Sequence, residues 1–397
     1  MKRSTIGILL AMALLAGCAS ITRLPPPADY SSLAAIPGMH DVRIWGDNGT
    51  LANQEEIRNI REQVMSDPTY DRNAPVHFLA ISGGGQKGAF GAGILSGWTA
   101  AGTRPEFRMV TGISTGSLIA PFAFLGSDYD HVIQEMYTKF STKDVLKKRF
   151  FSGLFTADSM ANNAPLRKIV KGYFTPAEME KVAKEYLRGR WLLVGTTYLD
   201  VQRPVIWDLG AIAASGHPDA YELIIDVLLA SAAIPGVFPP VYFEVEHNGQ
   251  TFDELHVDGG VTTQVFISPV SFNMENALEL AGFHGEAHVY LIRNSQVSPD
   301  VEHLKPKTVP ILTQSLITLL RAQGLGDMYR IYQDAELNDM QYHAAHLPAN
   351  FRDEPDELFD IEYMTELFTL AYEQAKNGYP WETGPPEFKN GPAKKPL

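Results

Sequence analysis

The sequence predicts an α/β fold: a central, mostly parallel sheet covered by helices on both faces, with a helical insertion and a helical C-terminal region. Three observations predict it. From Ala74 onward, strand-like apolar runs alternate with segments of helical spacing, as in parallel or mixed sheets built from crossovers. The first of these runs, Val76-His77-Phe78-Leu79-Ala80-Ile81, is apolar, β-prone and short enough for a buried strand. It leads into a glycine-rich crossover, Ser82 to Gly97, in which Gly83, Gly84, Gly85 and Gly88 fall within six positions. Backbone without Cβ atoms turns sharply and brings its N–H groups close to a ligand. The helix predicted over Ala89–Ala101 aims its positive end at the same place. An anion, or a group that becomes one, is the expected occupant.

Bulk properties narrow the function classes. With 397 residues and 45% hydrophobic content, the chain can bury one large core or two smaller ones. A net charge of −13 without a sizeable basic patch argues against a nucleic-acid partner. No run of 18 apolar residues is present, so no spanning helix is expected. Lys2 and Arg3, the apolar Ile6–Ala16 and the small-residue Leu15-Ala16-Gly17-Cys18 look like a bacterial lipoprotein signal over residues 1–17. Cleavage before Cys18 would leave it as the acylated first residue, and Ala19 resembles an outer-membrane address. The expected location is therefore the cell envelope, lipid-anchored at the outer membrane and facing the periplasm. Cys18 is the single cysteine, so no intrachain disulfide is possible. Without the signal the balance is 31 basic against 46 acidic side chains, so the acyl anchor, not charge, must hold the protein to an anionic surface.

Residues 18–73 are read as a tether and brace: Leu24-Pro25-Pro26-Pro27 is stiff, and Ile57, Ile60 and Val64 predict a helix over Gln54–Met65. The second core strand, Phe107–Val110, runs into Gly112-Ile113-Ser114-Thr115-Gly116, and a helix bent at Pro121 follows over Leu118–Leu125. This is a G-x-S-x-G elbow between a strand and a helix, which exposes Ser114 Oγ at a helix N-terminus. An acyl-transfer serine needs donors around its oxyanion, and the amides of Gly84 and Gly85 are placed to supply them. Gly83, Gly85 and Gly88 also satisfy G-x-G-x-x-G, but the second strand ends in Ser114, not in an acid for a ribose. Lys87 is followed by Gly88, which excludes a P-loop.

Asp128–Tyr186 is read as a helical insertion. Within it, residues 137–158 mix lysines with Phe140, Phe150, Phe151 and Phe155, a candidate lipid-contacting lid or a solvated cap. Arg190–Thr197 and Arg203–Asp208 predict a hairpin, Ala220–Ala233 a helix, and Ser231 a structural serine. Glu254–Val257 leads to Asp258-Gly259-Gly260, by itself an ordinary turn. Ala287–Ile292 predicts another buried strand; Thr308–Ala345 and Phe359–Asn377 predict helices, with a frayed tail after Gly378. Tyr329, Tyr332, Tyr342, His343 and His346 are taken as packing and surface groups.

Three motifs in this order resemble the patatin-like phospholipases: Gly83-Gly84-Gly85-Gln86-Lys87-Gly88, Gly112-Ile113-Ser114-Thr115-Gly116 and Asp258-Gly259-Gly260. The block Ala230–Pro240 also looks like that family's stretch ahead of its aspartate. The resemblance implies a three-layer catalytic domain over residues 74–300, followed by a helical extension over 301–397. It implies Ser114 as nucleophile, Asp258 as its base without a histidine, and an oxyanion hole of Gly83, Gly84 and Gly85. Lys87, Gly88, Gly112, Gly116, Gly259 and Gly260 would support the motifs. No cofactor and no metal are implied; the substrate would be a membrane phospholipid or another lipid ester. Two departures stand out: Lys87 replaces the usual arginine, losing its planar fork, and Gln264 and Pro269 replace an adjacent asparagine–proline pair. The alternatives are a Ser-His-Asp α/β-hydrolase using His284, His288 or His303, and a non-enzymatic lipid-binding envelope lipoprotein.

Overall fold

The computed structural model describes residues 23–27, 33–48, 62, 71–148, 161–269, 273–298, 304, 306–351 and 355–386. The signal segment, Cys18, the 54–65 helix apart from residue 62, and residues 149–160 of the basic-aromatic stretch lie outside them, as do His303 and the last eleven residues. Nine strands among the described residues form one sheet: β1 (Arg43–Trp45), β2 (Val76–Ile81), β3 (Met109–Ile113), β4 (Trp191–Tyr198), β5 (Arg203–Asp208), β6 (Val241–His247), β7 (Gln250–Asp258), β8 (Ala287–Gln296) and β9 (Met340–Leu347). Their order is β1-β5-β4-β3-β2-β8-β9, and the β6–β7 hairpin joins through β7 to β4. The five strands from β4 to β9 in this order are parallel; β1, β5 and the hairpin pair antiparallel.

Both faces of the sheet are covered, because alternate residues of β2 face two different cores. Leu79 and Ile81 join one, and Phe78 and Ala80 the other. The larger core holds the helices α1 (Gly88–Ala100), α2 (Thr115–Leu125), α3 (Asp130–Thr138), α4 (Ala164–Tyr173), α5 (Pro176–Leu187) and α6 (Ala220–Ser231). The opposite face carries α7 (Met274–Ala281) and α8 (Thr308–Leu337). The C-terminal helix α9 (Ile361–Lys376) returns to the first face and lies along α1. The approach is so close that a Cβ at Gly97 would stand 2.2 Å from the carbonyl of Tyr372. Local sequence sets the helix starts: Thr175 and Glu178 form a capping box ahead of Pro176, and Asp360 accepts the amides of Glu362 and Tyr363.

The structure departs from the expected elements in four places. The helix expected through Ala345 stops at Leu337, and Met340–Leu347 becomes the edge strand β9, in register with β8. Asp339 breaks the helix with φ of 50°, and the alternating burial of Met340, Tyr342 and Ala344 suits a sheet edge. Tyr342 is thus core, and His343 meets His288 across β8 and β9 at 3.1 Å. The second core strand begins at Met109, two residues later than expected, and runs to Ile113. The β6 half of the hairpin had no counterpart among the expected strands. Finally, residues 23–24 are clamped to the domain: Arg23 pairs with Asp200, and Leu24 and Asp253 exchange hydrogen bonds.

Beneath the hairpin lies a buried polar network. Arg43 of β1 forms a bidentate pair with Glu254 of β7 at 2.5 and 3.1 Å. Glu254 also meets His256 Nε2 at 3.1 Å, and His256 Nδ1 lies 2.9 Å from Thr196 Oγ1. Ionised Glu254 can only accept, so the proton of the neutral His256 sits on Nε2 and Thr196 donates to Nδ1, while the Trp207 indole donates to the same hydroxyl oxygen. Burial holds the His256 pKa below its ordinary value, against the opposing pull of Glu254. Burial pushes Glu254 up, but the Arg43 charge and the hydrogen bonds from His256 and Arg43 outweigh it and bring it to about 2. A neutral imidazole and an ionised carboxylate therefore tie β7 to β4, with His256 two residues before Asp258 at the end of β7.

Candidate active site

The parallel strands β2 and β3 end at one edge of the sheet, and each delivers a motif there. β2 runs into Gly83, Gly84 and Gly85, and a short turn of 3-10 helix over Gly85–Lys87 precedes Gly88, the first residue of α1. β3, which contains Gly112, ends at Ile113, and Ser114 is the residue between strand and helix. Its φ of 52° and ψ of −122° lie outside the comfortable regions for a side chain with a Cβ. Such strain costs on the order of 1–3 kcal/mol and persists only where the surroundings over-determine it. Here they do. The Ser114 N–H donates to Ser231 Oγ at 3.0 Å, and Ser231 Oγ donates in turn to the Gly195 carbonyl at 2.7 Å. The Ser114 carbonyl accepts both the amide and the hydroxyl of Ser117. Gly116 lets the elbow sit on β2: a Cβ there would lie 2.2 Å from the Ile81 carbonyl.

Asp258 reaches Ser114 from the antiparallel side. In the β3–β4 pair Ile113 faces Gly195, and in the β4–β7 pair the next residue, Thr196, faces Asp258. The end of β7 is thereby set beside the end of β3. Ser114 Oγ donates to Asp258 Oδ2 at 2.6 Å, while Oδ1 accepts the Gly260 amide at 2.7 Å. Gly259 starts the tight turn that makes this amide available. Both side chains are buried, and burial raises the Asp258 pKa to about 7, against the opposing effect of its two hydrogen bonds. Among the described residues no histidine bonds to Asp258. His288 pairs in register with His77, four positions back along β8 from the partner of Ile81, and His284 precedes that strand.

The glycine loop is pinned by residues outside the three motifs. Asn294, at the end of β8, accepts the Gly91 amide and donates to the Ser82 carbonyl, each at 2.9 Å. Gly84 packs against it so tightly that a Cβ would lie 2.3 Å from the Asn294 carbonyl. The Gly83 N–H is committed to the Gln264 carbonyl at 3.1 Å, which leaves the Gly84 and Gly85 amides as the loop's candidate donors. Gln264 also donates its side-chain amide to the Gly260 carbonyl at 2.7 Å, so one residue joins the glycine loop to the aspartate turn. Asp327 of α8 in turn accepts the Gln264 and Val265 amides. A polar residue closing an apolar strand was the available sequence signal for Asn294, and the departure after the aspartate turn was that for Gln264; Asp327 offered none. Lys87 stands half-buried in the turn before α1.

Above Ser114 opens a cleft of about 620 Å³, counted out to its mouth. Gly85, Ser114 and Thr115 lie at its base, and its walls are apolar: Leu118, Met136, Phe140, Leu166, Phe238 and Met364 among them. Three of the wall-forming segments belong to the insertion, so the aromatic Phe140 at the start of the basic stretch faces the cleft. Tyr137 is fixed there by its hydrogen bonds with Thr115. Among the described residues no cluster of three or more His, Cys, Asp or Glu side chains could hold a metal ion.

The profile of the patatin-like phospholipases matches residues 79–270, from the first core strand through the glycine loop, the elbow and the aspartate turn. The chain carries a patatin-like domain. Such a domain is a lipid acyl hydrolase domain, and the mixed, mostly parallel three-layer sheet is its fold. The patatin-like domain has a structural neighbour in VipD from Legionella pneumophila, at 12% identity and a TM-score of 0.41 over 78% of this chain and 67% of that one. No curated protein sequence matches the chain.

The raised pKa of Asp258 in this patatin-like domain has a stability consequence. A carboxyl that holds its proton more tightly when folded supports stability fully below the ordinary carboxylate range of about 4 and loses that contribution as pH rises to about 7. Asp258→Asn keeps a neutral acceptor for Gly260. It is expected to match the wild type in urea unfolding near pH 4 and to exceed it by on the order of 2–4 kcal/mol at pH 8. A constant difference across that range would contradict the assignment.

Proposed function

We propose that this chain is a serine acyl hydrolase of lipid esters, of the phospholipase A or lysophospholipase type, working through a Ser114–Asp258 dyad. The observation that carries the proposal is the 2.6 Å contact of the two side chains at the base of an apolar cleft. The cleft takes the acyl chain and presents the ester carbonyl to Ser114. Asp258, ionised, accepts the hydroxyl proton as Oγ attacks; the carbonyl π electrons move onto oxygen. The resulting oxyanion is held by the amides of Gly84 and Gly85 and faces the positive end of α2. Collapse expels the alcohol, which takes the proton back from Asp258. Water then repeats the sequence on the acyl-enzyme and releases the fatty acid.

A carboxylate is a weak base for a hydroxyl, so two features of this site matter. Desolvation brings Asp258 nearer to neutral pH, which improves it as a proton acceptor while leaving it ionised above about pH 7. Oxyanion donors carry the rest; the loss of one costs about 2.7–4 kcal/mol in serine hydrolases. Ser231 and Asn294 act as positioning residues, one for the elbow and one for the glycine loop.

The decisive assay is mass-spectrometric analysis of products from mixed phospholipid vesicles. Ser114→Ala and Asp258→Asn are each expected to reduce fatty-acid release by at least about 1,000-fold. Hydrolysis by wild type is expected to rise with pH to a plateau, with a midpoint at about 7. Retention of substantial activity in Asp258→Asn would point to a histidine base instead.

We also propose that Cys18 carries the acyl anchor and that the protein sits on the periplasmic side of an outer membrane, on the strength of the sequence Leu15–Cys18. N-terminal mass spectrometry is expected to find a mature chain starting at diacylglyceryl-Cys18. An unmodified Cys18, or an uncleaved leader, would remove this part of the proposal.

A further inference from the structure

Helix α8 is longer than the sheet it covers. Its 30 residues span about 45 Å, whereas the eight residues of β9 span about 26 Å. Since α8 leads from the end of β8 to the start of the parallel β9, it runs against the strands, and its N-terminal half lies towards the catalytic edge. Asp327 fixes the level. Its carboxylate accepts the Gln264 amide, and the Gln264 carbonyl accepts the Gly83 amide, so position 327 is alongside the glycine loop. Thr308, nineteen positions earlier, therefore projects roughly 28 Å beyond that level.

The projecting half is apolar and bare. Burial along α8 begins only at Gly324, whereas Ile311, Leu312, Leu316, Ile317 and Leu319 are 47, 63, 47, 51 and 67% exposed. No charged residue occurs from Thr308 to Leu320, in a chain that is 20% charged; Lys305 and Lys307 precede the stretch and Arg321 follows it. At 100° per residue these side chains occupy most of the helix circumference, a pattern that belongs in an apolar medium rather than in water. Thirteen uncharged positions give no electrostatic selectivity for a protein partner. A lipid surface needs none, and cationic residues at the ends of such a stretch match a phosphate layer. The helix is not long and apolar enough to cross a membrane.

We propose that the projecting half of α8 is an interfacial anchor that beds into the hydrocarbon boundary of a lipid bilayer and holds the catalytic edge against it. The choice of occupant rests on the reading that the substrate is a lipid ester. The anchor acts independently of Cys18 and fixes the orientation of the domain on the bilayer.

The test uses the mature chain, residues 18–397 produced without the leader and with Cys18→Ser, so that neither leader nor acyl group contributes, and phosphatidylcholine vesicles. Leu316→Trp is expected to give an indole whose emission shifts to the blue on vesicle addition and is quenched at least twofold by brominated phosphatidylcholine. Combining Leu312→Glu, Leu316→Glu and Leu319→Glu is expected to weaken vesicle partitioning and vesicle hydrolysis at least tenfold, with hydrolysis of a soluble short-chain ester within twofold of the parent. The soluble-ester assay also reports folding and the catalytic reading: if it fails in the parent while quenching persists, the enzyme reading falls and the anchor stands. Absent quenching, or unchanged partitioning in the triple variant, overturns the anchor. So does a lipid-free blue shift in a chain that elutes as a dimer, which would mean that a second copy covers the helix.

Discussion

Ser114 and Asp258 meet only because β7 is seated antiparallel against the end of β4. Everything else at the candidate site depends on that seating. β4 carries Gly195 opposite Ile113 and Thr196 opposite Asp258, so one strand measures both halves of the dyad. The Arg43–Glu254–His256–Thr196 network locks the register from below, where a slip of one residue would turn Asp258 to the wrong face. It also explains β1, an N-terminal strand that contributes no chemistry but supplies the arginine that keeps Glu254 ionised within the core.

Two costs are accepted at this edge. One is backbone strain at Ser114, balanced by hydrogen bonds to Ser231 and Ser117. The other is a carboxyl buried with only a hydroxyl and an amide for company. An arginine beside Asp258 would relieve the second and remove its value, since a carboxylate held well below neutrality is a poorer base. Arg43, a buried cation on the same sheet, is instead paired with Glu254.

Much of this was legible in the sequence, and what was not has a physical reason. The glycine loop, the elbow and the aspartate turn are local: each motif is shaped by the few residues around it, so reading Gly83–Gly88 or Gly112–Gly116 in order is sufficient. Residues 340–345 of β9 were taken for helix because Met340, Ala344 and Ala345 suit either state, and only the open edge of β8 decides between them. Gln264 was legible only as a departure after the aspartate turn, and its bond to Gly83, like the roles of Asn294 and Asp327, joins segments far apart in sequence. Gly83 carried the motif, but its amide is taken by Gln264, a fact that no spacing rule contains. The insertion was expected as helix, and its described residues are mostly so, apart from a short strand pair of Lys147–Lys148 with Ala161–Asn162; its contribution of Met136, Phe140 and Leu166 to the cleft follows from packing alone.

The central claim is that one buried carboxyl activates one strained serine. Its most direct measurement is peptide mapping by mass spectrometry after reaction with an alkyl fluorophosphonate at pH 8. The account expects a single phosphonyl adduct, on Ser114, forming far more slowly in Asp258→Asn. An adduct on another serine, or an equal rate in the two proteins, would contradict it.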